Sequence, residues 1–124
     1  MRGAVLIAVL VLAMPAAAEA KQKSFRTPSK NIYCLYLSSQ GPGPFIRCDV
    51  LSLNDRGFTI DRRHRGKRIR ITDSVVNRGA KVLRYGSSLR VGPFTCRSRQ
   101  SGLRCRSRTS GHGFQLSRQR QTVF

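Results

Sequence analysis

Apolar residues in this chain fall into one long run and a series of short ones. The long run, Ala4–Ala13 (AVLIAVLVLA), follows the positive Met1-Arg2 and precedes Pro15 and the small-x-small triplet Ala18-Glu19-Ala20. A positive start, a short apolar stretch and a small-residue cut site together predict a secretory signal helix over residues 1–20. The cut falls after Ala20, or after Ala18 if Ala16-Ala17-Ala18 is used. The run is too short for a stable membrane span, so no transmembrane anchor is expected after cleavage.

Beyond residue 20 the pattern changes. No i, i+3, i+4 apolar spacing persists for three turns, and branched or aromatic residues cluster in short stretches bounded by Gly, Pro, Ser and Asn. Ile32–Leu37 (IYCLYL) and Phe45–Leu51 (FIRCDVL) flank the breaker run Ser38–Pro44. Phe58–Ile60, Arg68–Thr72, Lys81–Arg84, Ser88–Val91, Phe94–Ser98, Leu103–Arg106 and Phe114–Ser117 follow. In Arg68–Thr72 (RIRIT) the alternation puts Arg68 and Arg70 outward and Ile69 and Ile71 inward. Lys21–Asn31 is polar with a Pro-Ser-Lys-Asn turn and reads as a lead-in to a single β domain over residues 32–124. The expected class is all-β, a small disulfide-stapled sandwich or barrel of short antiparallel strands.

The cysteines supply the staples. Cys34, Cys48, Cys96 and Cys105 make an even count in a short exported chain, which reads as two disulfides. Zinc is the rival, but there is no Cys-x-x-Cys and neither histidine lies near a cysteine pair. Three connectivities are open, and hairpin geometry favours the local two. A hairpin centred on Gly41 sets Cys34 opposite Cys48, seven residues to either side. A four-residue loop Arg99-Gln100-Ser101-Gly102, with Gly102 left-handed, closes Ser98 on Leu103 and brings Cys96 opposite Cys105.

Charge narrows the function. Lys21–Phe124 carries 23 Lys and Arg against four Asp (Asp49, Asp55, Asp61, Asp73), a net +19 with no Glu. Such a chain attracts polyanions and repels itself when compact. The densest cluster is Arg62, Arg63, Arg65, Lys67, Arg68 and Arg70, six cations in nine residues around His64. It could clamp phosphates or sulfates, or be a solvated loop leading into a strand. A second patch, Arg97, Arg99, Arg104 and Arg106 with Arg108 beyond it, threads the C-terminal hairpin. There Arg97 would face Arg104, a like-charge pair that splaying into water or a bound anion must relieve. His112, between Gly111 and Gly113, is a candidate turn or site residue, with a structural role favoured. A ribonuclease-like site needs two histidines, or a histidine and a carboxylate, around a phosphate, and no spacing here supports one. No serine elbow, metal motif or cofactor motif is present, so no catalytic residue, metal or cofactor is assigned.

Several segments carry a resemblance. They are Phe25–Cys34 (FRTPSKNIYC), Ile46–Val50 (IRCDV), Val82–Gly86 (VLRYG), Phe94–Cys96 (FTC), Ser101–Cys105 (SGLRC) and Ser110–Arg118 (SGHGFQLSR). With them the chain resembles a family of small exported bacterial β-rich domains of unknown function. The resemblance implies an exported β domain and no particular activity. It also implies Gly where Lys30 stands, Asn where Ser107 stands, and Trp with further Cys in the segment Asn54–Arg70.

The expectation is therefore an exported, non-enzymatic binding domain of the periplasm or extracellular space. Its partner would be an anionic envelope component or an extracellular polyanion met through an arginine-rich surface. A secreted inhibitor or protein-interaction module is the alternative, and a hydrolase using His112 the more distant one.

Overall fold

The computed structural model describes residues 2–12, 21–40 and 43–124. Over these, six strands form one sheet: β1 (Gln22–Arg26), β2 (Ile32–Gln40), β3 (Gly43–Val50), β4 (Arg56–Asp61), β5 (Lys67–Arg70) and β6 (Lys81–Val82). Five form another: β7 (Ser88–Val91), β8 (Phe94–Arg99), β9 (Gly102–Ser107), β10 (Gly113–Leu116) and β11 (Gln121–Val123). The spatial orders are β5-β4-β3-β2-β1-β6 (sheet A) and β11-β10-β9-β8-β7 (sheet B). All neighbours are antiparallel except β1 and β6, which run parallel.

Alternation along the strands builds the core. Cys34, Tyr36, Ile46, Cys48, Phe58 and Ile60 of sheet A share one buried cluster with Phe94, Cys96, Leu103, Cys105, Phe114 and Leu116 of sheet B. Tyr36 meets Phe94 edge-on at 6.2 Å, and Phe58 meets Phe114 at 6.3 Å. Each such side chain taken from water contributes roughly 1.5–3 kcal/mol. Both disulfides lie within this core. Cys34 pairs with Cys48 and Cys96 with Cys105, each pair directly opposed in its ladder.

The open sides of the sandwich are laced. At one side Gly66 donates to the Phe124 carbonyl (3.0 Å), joining the turn before β5 to the residue after β11. At the other, Leu83 donates to the Arg26 carbonyl (2.8 Å) and Gly86 to the Ser98 carbonyl (2.7 Å), so residues 83–87 cross from sheet A to sheet B.

Four expectations change. Residues 21–31 are no lead-in: β1 completes sheet A between β2 and β6, so the β domain begins at Gln22 rather than residue 32. Its single fully buried side chain, Phe25, gave too short an apolar pattern to read as a strand. The loop between β8 and β9 has two residues, Gln100 and Ser101, because Arg99 and Gly102 themselves pair. Gly102 is a strand residue at φ 138°, and a Cβ there would collide with the Leu116 carbonyl. Along β5 the two faces are exchanged. Arg68 opposes the core residue Phe58 and reaches towards β11, while Ile69 opposes Gly57 on the outer face. A Cβ on Gly57 would press on Ile71 (2.8 Å), Asp49 (3.0 Å) and Ile69 (3.2 Å), so the two isoleucines cover the outside of sheet A. Finally, residues 2–12 have no regular secondary structure and are exposed, so the signal helix is not seen there. An isolated apolar helix of this length is marginal in water without a surface to pack on. Ala18–Ala20, and Gly41 at the centre of the first hairpin, lie outside the described residues.

Ten residues between β5 and β6 must travel from one edge of sheet A to the other. They do so as a strap over its outer face. Arg47 donates through Nη1 to Asp73 Oδ1 (2.9 Å), the Val75 amide donates to Asp49 Oδ2 (3.1 Å), and Arg26 Nε donates to the Ala80 carbonyl (3.2 Å). Beneath it, Tyr33 and Asp49 are buried on the outer side of the sheet.

Lys30 sits at φ 58° in the turn between β1 and β2. The left-handed region costs a residue with a Cβ about 1–2 kcal/mol, partly offset by the extra backbone entropy that glycine loses, about 0.5–1 kcal/mol. Lys30→Gly is therefore expected to stabilise the fold by roughly 0.5–1 kcal/mol. A urea midpoint at or below that of the parent would contradict it.

Candidate arginine face and end cleft

Strand alternation sends every second residue of sheet B away from the core. On β8 these are Thr95, Arg97 and Arg99, and on β9 Arg104 and Arg106. β7 adds Ser88 and Arg90, and β10 adds Gln115. The register makes rows of them: Ser88–Arg97–Arg104–Gln115 across four strands, and Arg90–Thr95–Arg106 alongside. Arg97 and Arg104 are directly opposed. The outer face of sheet B is concave here, enclosing about 410 Å³ bounded chiefly by Thr95, Arg97, Arg99, Arg104, Arg106 and Gln115.

Two contacts orient Arg104. It donates through Nη1 to Gln115 Oε1 (3.0 Å), and its guanidinium lies 4.4 Å from the Phe124 ring centre. None of Arg90, Arg97, Arg99, Arg104 and Arg106 pairs with a carboxylate among the described residues. The sequence explains why. No Asp or Glu occurs from residue 74 to the C-terminus, so sheet B holds eight arginines between β7 and β11 and no acid. All four Asp belong to the sheet A half. Arg108 is not part of this surface array. It donates to the Phe94 and Gly92 carbonyls and to Thr95 Oγ1 (3.2 Å), holding the turn between β7 and β8.

The denser cluster in sequence is the more dispersed one in space. Arg65 donates to the Val123 carbonyl (3.2 Å) and Arg68 to the Gln121 carbonyl (2.9 Å), fastening the turn before β5 and β5 itself to β11. Arg70 pairs with Asp55 (3.3 Å). Lys67 opposes Thr59 and so lies on the other face from Arg68. Arg62 and Arg63 flank a separate concavity of about 350 Å³ with Pro44, Asp61 and His64. Asp61 organises that turn. Its Oδ1 accepts from the Arg63 (2.9 Å) and His64 (2.7 Å) amides, and its Oδ2 contacts His64 Nδ1 (2.9 Å). Burial opposes ionisation of Asp61, but these hydrogen bonds prevail and hold its carboxyl below the usual range.

His112 stands in the turn between β9 and β10, and its backbone carbonyl accepts from Ser107 (2.8 Å). Ser107 holds that turn, and its hydroxyl donates to the Arg62 carbonyl (2.7 Å) and accepts from the Thr109 amide (3.2 Å). His112 does not line the concavity beside His64.

A second feature has no signature in the sequence. At the end of the sandwich where the β1–β2, β8–β9 and β10–β11 turns meet, a cleft of about 160 Å³ opens. Tyr85, Arg99, Gln100, Arg118 and Gln119 line it, with Thr27 and Ser29, whose hydroxyls are 2.9 Å apart. Arg47 and Asp49 were also not singled out as a pair, although their i, i+2 spacing on one strand places them on one face.

No curated protein and no solved structure matches the chain. A family model does match, over residues 44–124, which takes in β4 to β11 and nearly all of β3 but not β1 and β2. The chain belongs to this family, a family of unknown function designated DUF6636.

Proposed function

We propose that the protein is an exported binding domain whose sheet B outer face holds a polyanion of the cell envelope or its surroundings. One observation carries the reading: Arg97, Arg99, Arg104 and Arg106 converge on one concave face in a half of the domain that has no Asp or Glu. Guanidinium forks bind phosphate, sulfate and carboxylate bidentately. An anion lying between Arg97 and Arg104 would also relieve the repulsion of that opposed pair. The two buried disulfides support an oxidising, exported setting, and the signal-like start of the sequence agrees with it. The outer face of sheet A is crossed by the strap, and all four Asp lie in that half.

The test compares two variants of equal charge. Arg97→Gln/Arg104→Gln is expected to lower heparin affinity about ten-fold at near-physiological salt, the loss of two charge-assisted contacts. Arg62→Gln/Arg63→Gln should change it less than about two-fold, in keeping with the small worth of dispersed exposed charges. Binding by the parent protein should fall steeply with salt. Equal losses in the two variants would mean that net charge alone is being measured and would overturn the reading. Binding that survives high salt would favour the protein-interaction alternative.

A further inference from the structure

We infer that the end cleft extends the arginine face into a site for one sugar unit of an acidic polysaccharide, an inference that rests on the face being the polyanion surface. The connection is physical. Arg99 and Gly102 line both the concave face and the cleft. Along β8 and β9 the cations follow the strand direction towards the hairpin tip, from Arg106 through Arg104 and Arg97 to Arg99, and Arg118 continues the series across the tip. Residues two apart on a strand are about 6.8 Å apart and neighbouring strands about 4.8 Å. An extended anionic chain laid along this track meets a guanidinium at each step and delivers its next unit to the cleft.

What the cleft presents suits a sugar. The side chains of Asn31 and Ser117 are occupied, with Ser52 and with Arg120 respectively. Tyr85, Gln100, Arg118 and Gln119 have no hydrogen-bonding partner for their side chains among the described residues. Tyr85 is 43% exposed, one of two large apolar side chains of the β domain left so open. An exposed phenol ring offers a flat surface to the apolar face of a pyranose. The two amides can meet its hydroxyls, and Arg118 with Arg99 can fork a carboxylate or sulfate.

The same inventory separates the glycan from its rivals. Single-stranded nucleic acid is held by successive aromatic platforms along a basic groove. This face has no such row: Tyr85 stands alone at the end, and a single ring, Phe124, lies against Arg104. A lipid surface would call for apolar side chains to insert beside the cations, and the other exposed large apolar residue of the domain, Leu51, follows β3 of sheet A and lines neither the face nor the cleft.

Binding of the oxidised protein to polygalacturonate, single-stranded DNA and phosphatidylglycerol vesicles at one salt concentration tests this. Tyr85→Ala/Arg118→Gln is expected to weaken polygalacturonate binding about ten-fold, as the loss of one ring contact and one fork implies. DNA and vesicle binding should fall less than two-fold. Tyr85 is exposed, and an unchanged melting temperature confirms that the variant folds. If polygalacturonate binding is unaltered while Arg97→Gln/Arg104→Gln abolishes it, the cleft inference fails and the face stands. If neither variant alters it, the face reading fails as well. A selective loss of DNA or vesicle binding would replace the glycan with that ligand and overturn the inference.

Discussion

Removing both disulfides is expected to unfold the domain at 37 °C. Restricting the unfolded chain by a ring of the size closed by Cys34 and Cys48, with a sequence separation of 14, contributes about 3 kcal/mol. The Cys96–Cys105 ring, with a separation of 9, contributes slightly less. The rings do not overlap, so together they supply about 5–6 kcal/mol, comparable with the whole stability of many domains of this size, about 5–15 kcal/mol. A net charge of +19 draws on that margin through self-repulsion. All four cysteines are essentially inaccessible to solvent, so reductant alone should act slowly and only through opening of the fold. The fourfold Cys→Ala variant, and the protein reduced in mild denaturant, should both lose their dispersed near-ultraviolet circular dichroism. Restoring one pair should recover a folded state at 20 °C, and salt should raise its midpoint by screening the repulsion. A fourfold variant melting within a few degrees of the parent would contradict this account.

The pairing was legible because alternation and parity constrain each other. In a hairpin, residues directly opposed share a face, so an inward cysteine on one strand can meet only an inward cysteine on the next. The all-β class was legible for the same reason: Ile46, Cys48 and Val50, or Cys96 and Ser98, show the two-residue period plainly. Edges were less so. β6 has two residues and pairs only with β1, far earlier in the chain, and nothing local in Gln22–Arg26 announces β6 as a neighbour. In β5 the alternation was read correctly and its direction was not. At an edge an arginine facing the sandwich can still reach water or a neighbouring carbonyl, as Arg68 does, so polarity stops reporting which side is inside. The candidate site divides in the same way. The opposition of Arg97 and Arg104 follows from hairpin register, and the acid-free C-terminal half is visible by inspection. The scattering of Arg62–Arg70 is not, because a turn and an alternating strand point consecutive cations in different directions. The end cleft joins residues from Thr27 to Gln119 and exists only once both sheets are in place.

Asp49→Ala is expected to destabilise the domain by about 3 kcal/mol, the low end of what breaking a buried ion pair costs. Asp49 is 1% exposed and accepts from Arg47 through both oxygens, at 2.9 and 3.2 Å, as well as from the Val75 amide. Without it the Arg47 guanidinium, itself only 13% exposed, keeps a single carboxylate, that of Asp73. Burial works against the charge on Arg47, and in the intact protein its hydrogen bonds to Asp49 and Asp73 outweigh that. Once Asp49 is gone the guanidinium still cannot escape by deprotonating, because arginine stays charged in proteins. Replacing both partners with apolar residues of similar volume, Arg47→Met/Asp49→Leu, should cost less than the single change, because no charge is then stranded. The strap over sheet A should loosen in Asp49→Ala, becoming the first site of proteolytic cleavage, between residues 71 and 80. Acid should act on the same anchor. The hydrogen bond and charge of Arg47 lower the pKa of Asp73, so its contribution is complete above the unfolded carboxylate value, about 3.9, and is lost as pH falls through the lowered one. The sheet B face has no Asp or Glu to protonate, so heparin binding by the folded protein should persist until the strap and fold give way. Urea midpoints for the single and double variants decide the matter. A shift below about 1 kcal/mol for Asp49→Ala would mean that Arg47 and the strap find water or other partners at no cost, and that sheet A's outer face is not held closed by this pair.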